Sequence, residues 1–315
     1  MKLVEVKNLK VSYITRRGKV EAIDDVSISI NPGEVVGVVG ESGSGKSTLG
    51  QAIMHLLPPY ATIESGEIWF EDKNLLELDD EAMRQIRGRE IAMVFQDPYS
   101  SLNPVMRIFD HFVELFKEHD FNYTREDIAK IVSGMLEKMG VPREKMFEFP
   151  HQLSGGQRQR VSIALGLALN PKLLIADEIT TALDALVEAQ IIDLLKEIKK
   201  EFQTSILFIT HNMGLVSQLA DRIAVMYAGK IVEIGRTNEI MEQPLHPYTR
   251  ALLASVPRIG GPKTLQPIPG DPPDMRNPPS GCRFHPRCPF ATDKCAKEEP
   301  FPRVKGERVV TCHYA

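Results

Sequence analysis

A glycine-rich stretch near the start of the chain has the residue types and spacing of a phosphate-binding loop. Residues 40–47 read Gly-Glu-Ser-Gly-Ser-Gly-Lys-Ser, between a predicted buried strand and a predicted helix. Glycines let the backbone curl so that successive N–H groups point at phosphate oxygens, and the helix start adds partial positive charge. Lys46 would bridge the β- and γ-phosphates, and the Ser47 hydroxyl would ligate Mg²⁺. The residues predicted to hold the nucleotide are Gly40, Ser42, Gly43, Ser44, Gly45, Lys46, Ser47 and Thr48.

Two adjacent carboxylates supply the second half of a nucleotide site. Asp177 and Glu178 follow the apolar run Leu173–Ala176, and a carboxylate at the end of a buried strand needs a partner because an unpaired buried charge is costly. Mg²⁺ would be the partner of Asp177, and Glu178 would accept a proton from an attacking water. The loop and the carboxylates together predict a P-loop NTPase. The chain has no Asn-Lys-x-Asp stretch to read guanine, which disfavours a GTPase.

A second predicted helix start also has the features of an anion-binding site. Leu153–Gln157 reads Leu-Ser-Gly-Gly-Gln and precedes a helical run at Arg158–Leu169, so Ser154 and the glycine amides would lie at a helix N-terminus. Because the chain has only one Gly-Lys-Ser loop, the economical interpretation is that each copy offers this segment to a nucleotide held by another copy. The alternative is an ordinary helix cap. The predicted contacts are Ser154, Gly155, Gly156 and Gln157.

Strands that alternate with helices must position these residues. The predicted strands are Leu3–Tyr13, Val26–Ile30, Val35–Val39, Ile91–Phe95, Leu173–Ala176 and Ile206–Ile209, and the predicted flanking helices are Lys46–Leu57 and Leu186–Phe202. This alternation favours a mostly parallel sheet in an α/β fold. Residues 105–170 break it, with helices predicted at Arg107–Glu118, Arg125–Met139 and Gly155–Leu169. They predict a helical subdomain, about residues 97–170, inserted between two core strands.

Composition bounds the class of protein. Of 315 residues, 43% are hydrophobic and 25% are charged, which excludes disordered and collagen-like classes. The net charge of −4 does not favour a nucleic-acid binder. No apolar run reaches the roughly 18 residues of a membrane span, and the N-terminus lacks the apolar region of a secretion signal, so we expect a soluble cytosolic chain. Of the 22 prolines, 14 follow residue 235, which predicts one domain over 1–235 and a Pro-rich extension over 236–315.

The chemically active segments resemble those of the ATP-binding-cassette (ABC) ATPases in order and approximate spacing. The matching segments are Gly40–Ser47, Gln96, Leu153–Gln157, Asp177-Glu178, Ala182-Leu183-Asp184-Ala185 and His211. The resemblance covers residues 1 to about 235 and implies a cassette with a mostly parallel core sheet, an antiparallel β subdomain and the helical insertion. It also implies that two cassettes sandwich two ATP molecules head to tail. Each site would take its phosphate loop from one cassette and its Leu-Ser-Gly-Gly-Gln segment from the other.

The same resemblance implies roles for single residues. Tyr13 resembles the residue that stacks on adenine, with a half-buried strand aromatic as the alternative. Gln96 resembles the glutamine that contacts Mg²⁺ or the attacking water, and His211 resembles the histidine that bonds the γ-phosphate and orients Glu178. Asp184 would bridge the two cassettes across their interface. The implied Mg²⁺ ligands are Ser47, Gln96 and Asp177.

One residue departs from the family pattern. Where ABC ATPases usually read Asp-Glu-Pro-Thr, this chain reads Asp-Glu-Ile-Thr, with Ile179 in place of proline. The change restores a backbone N–H and loosens φ after the catalytic carboxylate. Because Glu178 is retained, we expect a hydrolytically competent site whose turnover could differ from that of a proline-bearing relative.

Three further stretches resemble the ATPases of oligopeptide, dipeptide and nickel importers. They are Phe95–Pro104, His246–Leu253 and Gly281–Pro289. The resemblance then covers nearly the whole chain and implies ATP hydrolysis that drives uptake of peptides or a related solute, by a peripheral protein on the cytoplasmic face of the cell membrane. Gln96–Asn103 would receive a short helix of the transmembrane subunit. The implied partners are a second ABC ATPase subunit, identical or paralogous, two transmembrane permease subunits and an extracytoplasmic solute-binding protein, with no nucleic acid.

All four cysteines lie in the extension, at Cys282, Cys288, Cys295 and Cys312. Spacings of five, six and sixteen intervening residues, in a chain expected to be cytosolic, favour a metal site over disulfides. Four thiolates suit zinc and an iron–sulfur cluster equally by ligand softness, although the paired Cys-x₂₋₄-Cys hooks common in zinc sites are missing. The resemblance to dipeptide-importer ATPases favours a [4Fe–4S] cluster, with zinc or free thiols as the alternatives.

Two other classes of ABC protein compete with the importer hypothesis. Soluble ABC ATPases that act on nucleic acid or ribosomes typically carry two cassettes, a long coiled-coil insertion or zinc modules inside the cassette, and this sequence has none of these. A non-catalytic regulatory cassette is disfavoured because Lys46, Asp177, Glu178 and His211 are all intact. The sequence leaves the solute open, with oligosaccharide or nickel as alternatives to peptide.

Overall fold

A computed structural model describes residues 2–97, 101–181, 183–255 and 268–315 of the chain. The chain forms two compact units, one built from residues up to 77 together with those from 208 onward, and the other from residues 78–207. Parts of two sequence motifs lie outside the described residues, namely Pro98, Tyr99, Ser100 and Ala182. Within the described ranges, no helix combines the length and the apolar character needed to cross a membrane.

The first unit contains a four-stranded antiparallel sheet. Its strands are β1 (Val4–Thr15), β2 (Gly18–Ile30), β4 (Ala61–Phe70) and β5 (Lys73–Asn74), in the order β2-β1-β4-β5. β1 pairs with both neighbours, since Val4 lies opposite Ile30 on one side and Phe70 on the other. Along β1 the buried Val4 and Val6 alternate with Glu5, which is not buried. The antiparallel sheet that the family resemblance implied is therefore present.

A second set of strands in the first unit leads into the phosphate loop. They are β3 (Val35–Val39), β9 (Arg222–Tyr227), β10 (Lys230–Arg236), β11 (Arg303–Lys305) and β12 (Arg308–Val310), in the order β11-β12-β10-β9-β3. β3 and β9 are parallel, and the other neighbours are antiparallel. All five residues of β3 are buried, as its continuous apolar run predicts. The Pro-rich extension supplies β11 and β12, so the extension is built into this sheet.

The helices of the first unit lie at the phosphate loop and in the C-terminal part of the chain. They are α1 (Lys46–Ile53), α7 (Met213–Leu219), α8 (Thr237–Glu242), α9 (Pro247–Ala254) and α10 (Asp293–Lys297), with a 3₁₀ turn at His285–Arg287. α1 begins where the sequence predicts and ends at Ile53, so the predicted end at Leu57 was wrong. It ends early because His55 adopts a left-handed backbone conformation, with φ of +53°, that cannot continue a right-handed helix.

The second unit combines parallel strands with helices. Its elements are α2 (Asp80–Ile86), β6 (Ile91–Val94), α3 (Ile108–Glu118), α4 (Arg125–Lys138), α5 (Gly155–Leu167), β7 (Leu173–Asp177) and α6 (Ala185–Phe202). β6 and β7 pair in parallel, with Ile91 opposite Leu173. α3, α4 and α5 come between these two strands along the chain, as predicted for a helical insertion. β8 (Ser205–Thr210) begins in the second unit and ends in the first.

Candidate nucleotide-binding site

Backbone packing fixes the shape of the phosphate loop at two of its glycines. Gly45 has φ of +99°, and a Cβ on it would lie 2.4 Å from the carbonyl oxygen of Ala22. A Cβ on Gly40 would lie 2.1 Å from the carbonyl oxygen of Met226. Real Cβ atoms do not approach other atoms this closely, so only glycine fits at either position. Residues outside the loop, but in the same unit, therefore determine its path.

Two polar side chains of the loop are buried. Lys46 is 3% exposed, and its Nζ donates to the carbonyl oxygens of Gly40 at 2.9 Å and Glu41 at 3.0 Å. The Ser44 hydroxyl oxygen is buried and has no partner among the described residues. A buried hydroxyl without a partner costs free energy, which a phosphate oxygen would recover. α1 follows Gly45 directly and has no acidic residue in its first turn, so the positive end of the helix is not neutralised there.

Tyr13 lies in the same unit as the loop and next to a second aromatic residue. Its hydroxyl is 3.0 Å from the Thr48 hydroxyl, and its ring centroid is 5.8 Å from that of Tyr60, which is 58% exposed. Sequence reasoning missed Tyr60 because the residue reaches Tyr13 only through the pairing of β1 with β4, where Tyr13 lies opposite Ala61. The two rings together offer an aromatic surface beside the start of α1.

Replacing Tyr13 by alanine tests this surface. We expect Tyr13→Ala to weaken ATP binding by about 1–3 kcal/mol, the range for stacking an aromatic side chain on a base. Tyr13→Phe is the matched control, because it keeps the ring and loses only the contact with Thr48. Calorimetric titration with Mg²⁺-ATP measures both affinities. An affinity of Tyr13→Ala equal to that of the parent would assign Tyr13 a purely structural role.

The second unit brings two predicted catalytic residues together. Asp177 ends β7 and is 4% exposed. Glu178 follows with φ of +47°, and its Oε2 accepts hydrogen bonds from the Gln96 amide and the Thr181 hydroxyl, both at 3.3 Å. Ile179, which stands where the family usually has proline, is 1% exposed and belongs to the core. The Gln96 amide and the Thr181 hydroxyl thus both contribute to the orientation of the Glu178 carboxylate.

The Leu-Ser-Gly-Gly-Gln segment forms the start of α5. The Ser154 hydroxyl oxygen accepts from the Gln157 backbone N–H at 3.2 Å, and the Gln157 side-chain oxygen accepts from the Ser154 N–H at 3.1 Å. This reciprocal pair is a capping box. A Cβ on Gly156 would lie 3.1 Å from a methyl group of Val187, so a larger residue there would push on α6. Ser154 itself is exposed, and the capping bond uses its oxygen and not its proton.

Asp184 and His211 lie in different units. Asp184 Oδ1 accepts from the backbone N–H groups of Leu186 and Val187 at 3.1 and 3.0 Å, which caps α6 and gives Asp184 a structural role that sequence analysis missed. His211 follows β8 directly and is exposed. The first unit holds the phosphate loop, Tyr13 and His211, and the second holds Gln96, Ser154–Gln157, Asp177, Glu178 and Asp184.

The four cysteines line one cavity of about 240 Å³ in the first unit. All four are free, and Cys295 is 7% exposed. Burial, with smaller contributions from the other three cysteines, raises the pKa of the Cys282 thiol to about 11. The Tyr314 backbone N–H donates to Cys312 Sγ at 3.5 Å. Over the residues that the structure covers, no three Cys, His, Asp or Glu side chains are arranged to hold a metal ion.

His246 is the buried N-cap of α9 and also lines this cavity. It is 1% exposed; its Nδ1 accepts from the Tyr248 N–H at 3.0 Å, and its own backbone N–H donates to the Glu233 carboxylate at 2.9 Å. Burial, with a smaller effect of the Arg250 charge, lowers the pKa of His246 from 6.5 to about 3. The ring is therefore neutral in the folded protein at neutral pH.

This lowered pKa predicts a loss of stability in mild acid. The pKa of His246 in the unfolded chain is about 6.5, so below that pH the unfolded chain binds a proton at His246 and the folded chain does not. The free energy of unfolding should therefore fall by about 2 kcal/mol between about pH 7 and pH 5. His246→Asn keeps a capping oxygen and removes the titration. Urea unfolding should show a flatter pH dependence for His246→Asn than for the parent and for the exposed control His151→Asn. Identical slopes in all three proteins would contradict the prediction.

Two family models match the chain. A model described as "ABC transporter" matches residues 23–181, and one described as "Oligopeptide/dipeptide transporter, C-terminal region" matches residues 232–295. The first match spans the phosphate loop, the capping box of α5 and the two carboxylates. The second begins in β10 and includes α9 and three of the four cysteines.

Curated relatives match nearly the whole chain. The oligopeptide transport ATP-binding protein OppD of Bacillus subtilis is 48% identical over 304 residues, which are 95% of this chain and 85% of the relative. The dipeptide transport ATP-binding protein DppD of the same organism is 46% identical over 316 residues, which are 99% of this chain and 94% of the relative. DppD of Caldanaerobacter subterraneus is 43% identical over 314 residues, with 99% and 96% covered.

Solved structures of ATP-binding cassettes share the fold. The cassette MJ0796, described as a dimer in a post-hydrolysis state bound to ADP and Pi, matches with a TM-score of 0.68 at 29% identity, over 74% of this chain and 98% of that chain. The protein cbiO1 of Clostridium perfringens, part of the ABC transporter complex cbiONQ, matches with a TM-score of 0.65 at 29% identity, over 77% and 91%. The chain therefore belongs to the ATPases of the ABC transporter family, in the group that carries the oligopeptide/dipeptide transporter C-terminal region.

Proposed function

We propose that this chain is the ATP-hydrolysing subunit of a peptide importer. The observation that carries the proposal is the match of residues 232–295 to the C-terminal region of oligopeptide and dipeptide transporters. Relatives named for oligopeptide and dipeptide transport, aligned over 95% of the chain or more, support it. ATP hydrolysis would drive solute uptake through two separate transmembrane subunits, with an extracytoplasmic solute-binding protein delivering the peptide. The chain would work as a peripheral protein on the cytoplasmic face of the membrane.

In this proposal the phosphate loop binds the triphosphate. The orphaned Ser44 hydroxyl and the positive start of α1 support this role, and Tyr13 would stack on the adenine. Mg²⁺, when bound, neutralises charge on the phosphates. The proposed Mg²⁺ ligands are Ser47, Gln96 and Asp177. Hydroxyl, amide and carboxylate oxygens are the hard ligands that this ion prefers.

Glu178 would act as the general base of hydrolysis. The Gln96 amide and the Thr181 hydroxyl orient its carboxylate, so the oxygen that receives the proton is held in place. Water would lose one proton to Glu178 while its oxygen bonds the γ-phosphorus, and the bond from that phosphorus to the bridging oxygen would break, releasing ADP. His211 would donate a hydrogen bond to the γ-phosphate.

A second cassette, identical or paralogous, would complete each ATP site. Ser154, Gly155, Gly156 and Gln157 would contact the nucleotide held by the partner, and Asp184 would lie at the interface. The exposure of Ser154 and its unused hydroxyl proton support this assignment. In the proposed organisation, residues 1–235 form the ATPase domain, with its helical part at about 97–170, and residues 236–315 form the extension.

The cysteines would hold a [4Fe–4S] cluster that fixes the extension. The support for this proposal is that all four cysteines line one cavity and that thiolates are the usual ligands of such clusters. An N–H group that donates to Cys312 Sγ is the kind of contact that stabilises a ligated thiolate. Iron and acid-labile sulfide in the anaerobically purified chain would support the cluster, and stoichiometric zinc without iron would contradict it.

Reconstitution tests the transport proposal. The chain, its partner cassette, the permease subunits and the binding protein are placed in proteoliposomes with internal Mg²⁺-ATP. Peptide should raise hydrolysis and enter the vesicles, and Lys46→Ala should abolish both. Nickel or oligosaccharide uptake without peptide uptake would favour the corresponding alternative importer. Binding of the isolated chain to nucleic acid or ribosomes, with no response to the permease, would favour a soluble ABC ATPase.

A further inference from the structure

An arginine of the cysteine motif reaches into the phosphate loop. Arg287 Nη1 donates to Glu41 Oε2 at 2.7 Å, and Nη2 donates to Glu41 Oε1 at 3.0 Å, which is a two-bond fork between residues far apart in sequence. The Arg287 side chain is 5% exposed and the Glu41 side chain 25%. Arg287 Nε also donates to the Pro269 carbonyl oxygen at 2.8 Å, and Nη1 lies 3.3 Å from the Tyr227 hydroxyl. The guanidinium is therefore held from several sides.

A second contact from the extension holds the backbone of the same loop residue. The Glu41 N–H donates to the Tyr248 hydroxyl at 2.9 Å. Tyr248 is fully buried against Tyr227 and Phe284, with ring centroids 4.6 and 5.4 Å away. The carbonyl oxygen of Glu41 in turn accepts from Lys46 Nζ at 3.0 Å. Side chain, N–H and carbonyl of Glu41 are thus all fixed, and the last of these bonds fixes the loop lysine as well.

Arg283, the other arginine of the motif, contacts residues that pack against the phosphate loop. Arg283 Nη1 donates to the Ala228 carbonyl oxygen at 2.6 Å, and Nη2 contacts the Asp24 carboxylate at 2.7 Å. Gly229, next to Ala228, donates its N–H to the Ser44 carbonyl oxygen at 3.0 Å and accepts from the Asp24 N–H at 2.9 Å. Arg283 directly follows Cys282, and Arg287 directly precedes Cys288. Both arginines are therefore adjacent in sequence to cysteines that line the cavity.

We propose that Arg287 is a positioning residue that holds Glu41, and through it the phosphate loop, in the conformation that binds ATP. The extension would then set nucleotide affinity in its own cassette. The inference takes ATP as the ligand from the proposed function, and it does not depend on which solute is transported.

Charge alone makes a different prediction, so the two explanations can be separated. Removing the positive charge of Arg287 would weaken the binding of a triphosphate under either explanation. Removing the negative charge of Glu41 would strengthen binding by simple electrostatics, whereas loss of positioning would weaken it. The double variant Arg287→Met/Glu41→Gln has the same net charge as the parent. Electrostatics then predicts the parent affinity, and positioning predicts weak binding.

The experiment measures Mg²⁺-ATP affinity of the full-length chain by calorimetry, with circular dichroism to confirm folding. We expect Arg287→Met and the double variant to bind ATP about tenfold more weakly, and Glu41→Gln about threefold more weakly, as losses of charge-assisted hydrogen bonds. Arg287→Lys keeps the charge without the fork and should recover part of the affinity. The matched control is Arg276→Met, which removes an arginine that pairs with Asp274 elsewhere in the extension.

Hydrogen exchange of backbone amides distinguishes loss of loop positioning from a general loss of stability. Loss of positioning should speed exchange in the phosphate loop alone. The peptide covering residues 40–48 should exchange faster in the double variant, and the peptide covering β4 should not. A folded double variant with parent affinity and parent exchange would overturn the inference. If Arg287→Met fails to fold, Glu41→Gln decides, because tighter binding in that variant would also overturn it. A parent chain that binds no ATP would instead contradict the proposed function.

Discussion

Glu178→Gln is expected to lower steady-state ATP hydrolysis about 10²–10⁴-fold, the usual contribution of a general base. The amide has nearly the same shape as the carboxylate and cannot take the proton of the attacking water. The phosphate loop is untouched, so ATP should still bind, and bound ATP should accumulate in a stable dimer of cassettes. Phosphate release measures the rate, and light scattering after gel filtration with Mg²⁺-ATP measures the dimer.

Glu197→Gln is the matched control for this experiment. Glu197 is an exposed residue of α6 in the same unit, so the substitution makes the same chemical change outside the site. It should leave both hydrolysis and assembly at parent values. Turnover by Glu178→Gln at the parent rate would show that another group accepts the proton. The contact of Glu178 with the Gln96 amide would then have to serve a purely structural purpose.

Gly45→Ala should disrupt the phosphate loop more than any substitution of its exposed residues. The new methyl group would lie 2.4 Å from the Ala22 carbonyl oxygen, and the backbone φ of +99° is strained for alanine. Together these effects should lower the free energy of unfolding by about 2–4 kcal/mol. Because the loop must move to relieve the contact, hydrolysis should fall about 10²-fold, the cost of a displacement near 1 Å at a reacting group.

Gly33→Ala separates the two causes. Gly33 also has positive φ, +71°, but a Cβ there meets nothing within 4 Å. It should cost about 1 kcal/mol of stability and leave hydrolysis unchanged. Denaturant unfolding and phosphate release are measured on both variants. Equal losses of stability in the two variants would mean that backbone conformation, and not the contact with Ala22, makes Gly45 necessary.

Local patterns were sufficient to predict the elements that carry the chemistry. β3 has the bounds of its apolar run, and α1 and α5 begin where glycine and serine signals place them. The bounds of β3 and the starts of α1 and α5 are determined by residues adjacent in sequence, so a local pattern is enough to predict them. The predicted end of α1, Leu57, lies four residues beyond the observed end at Ile53. The sequence pattern does not show that His55 adopts a left-handed conformation.

Contacts between distant residues were not predictable in this way. Tyr60 reaches Tyr13 through the pairing of β1 with β4, and Arg287 reaches Glu41 through the packing of Tyr227, Tyr248 and Phe284. The abundance of proline predicted an extension, whose short strands the sequence analysis did not identify. β12 forms by pairing with β10, a partner about 75 residues away in the sequence that a local pattern does not reveal.

The pairing of β12 with β10 has a consequence for anyone who shortens this chain. Val309 pairs with Ile234 and Val310 pairs with Glu233. A fragment ending near residue 236 would therefore leave β10 as an unpaired edge strand exposed to solvent. Exposed edges of this kind recruit strands from other molecules, and the fragment should therefore be prone to aggregation. Engineered versions of this cassette need their carboxyl-terminal segment intact, and a fused tag belongs behind a flexible spacer.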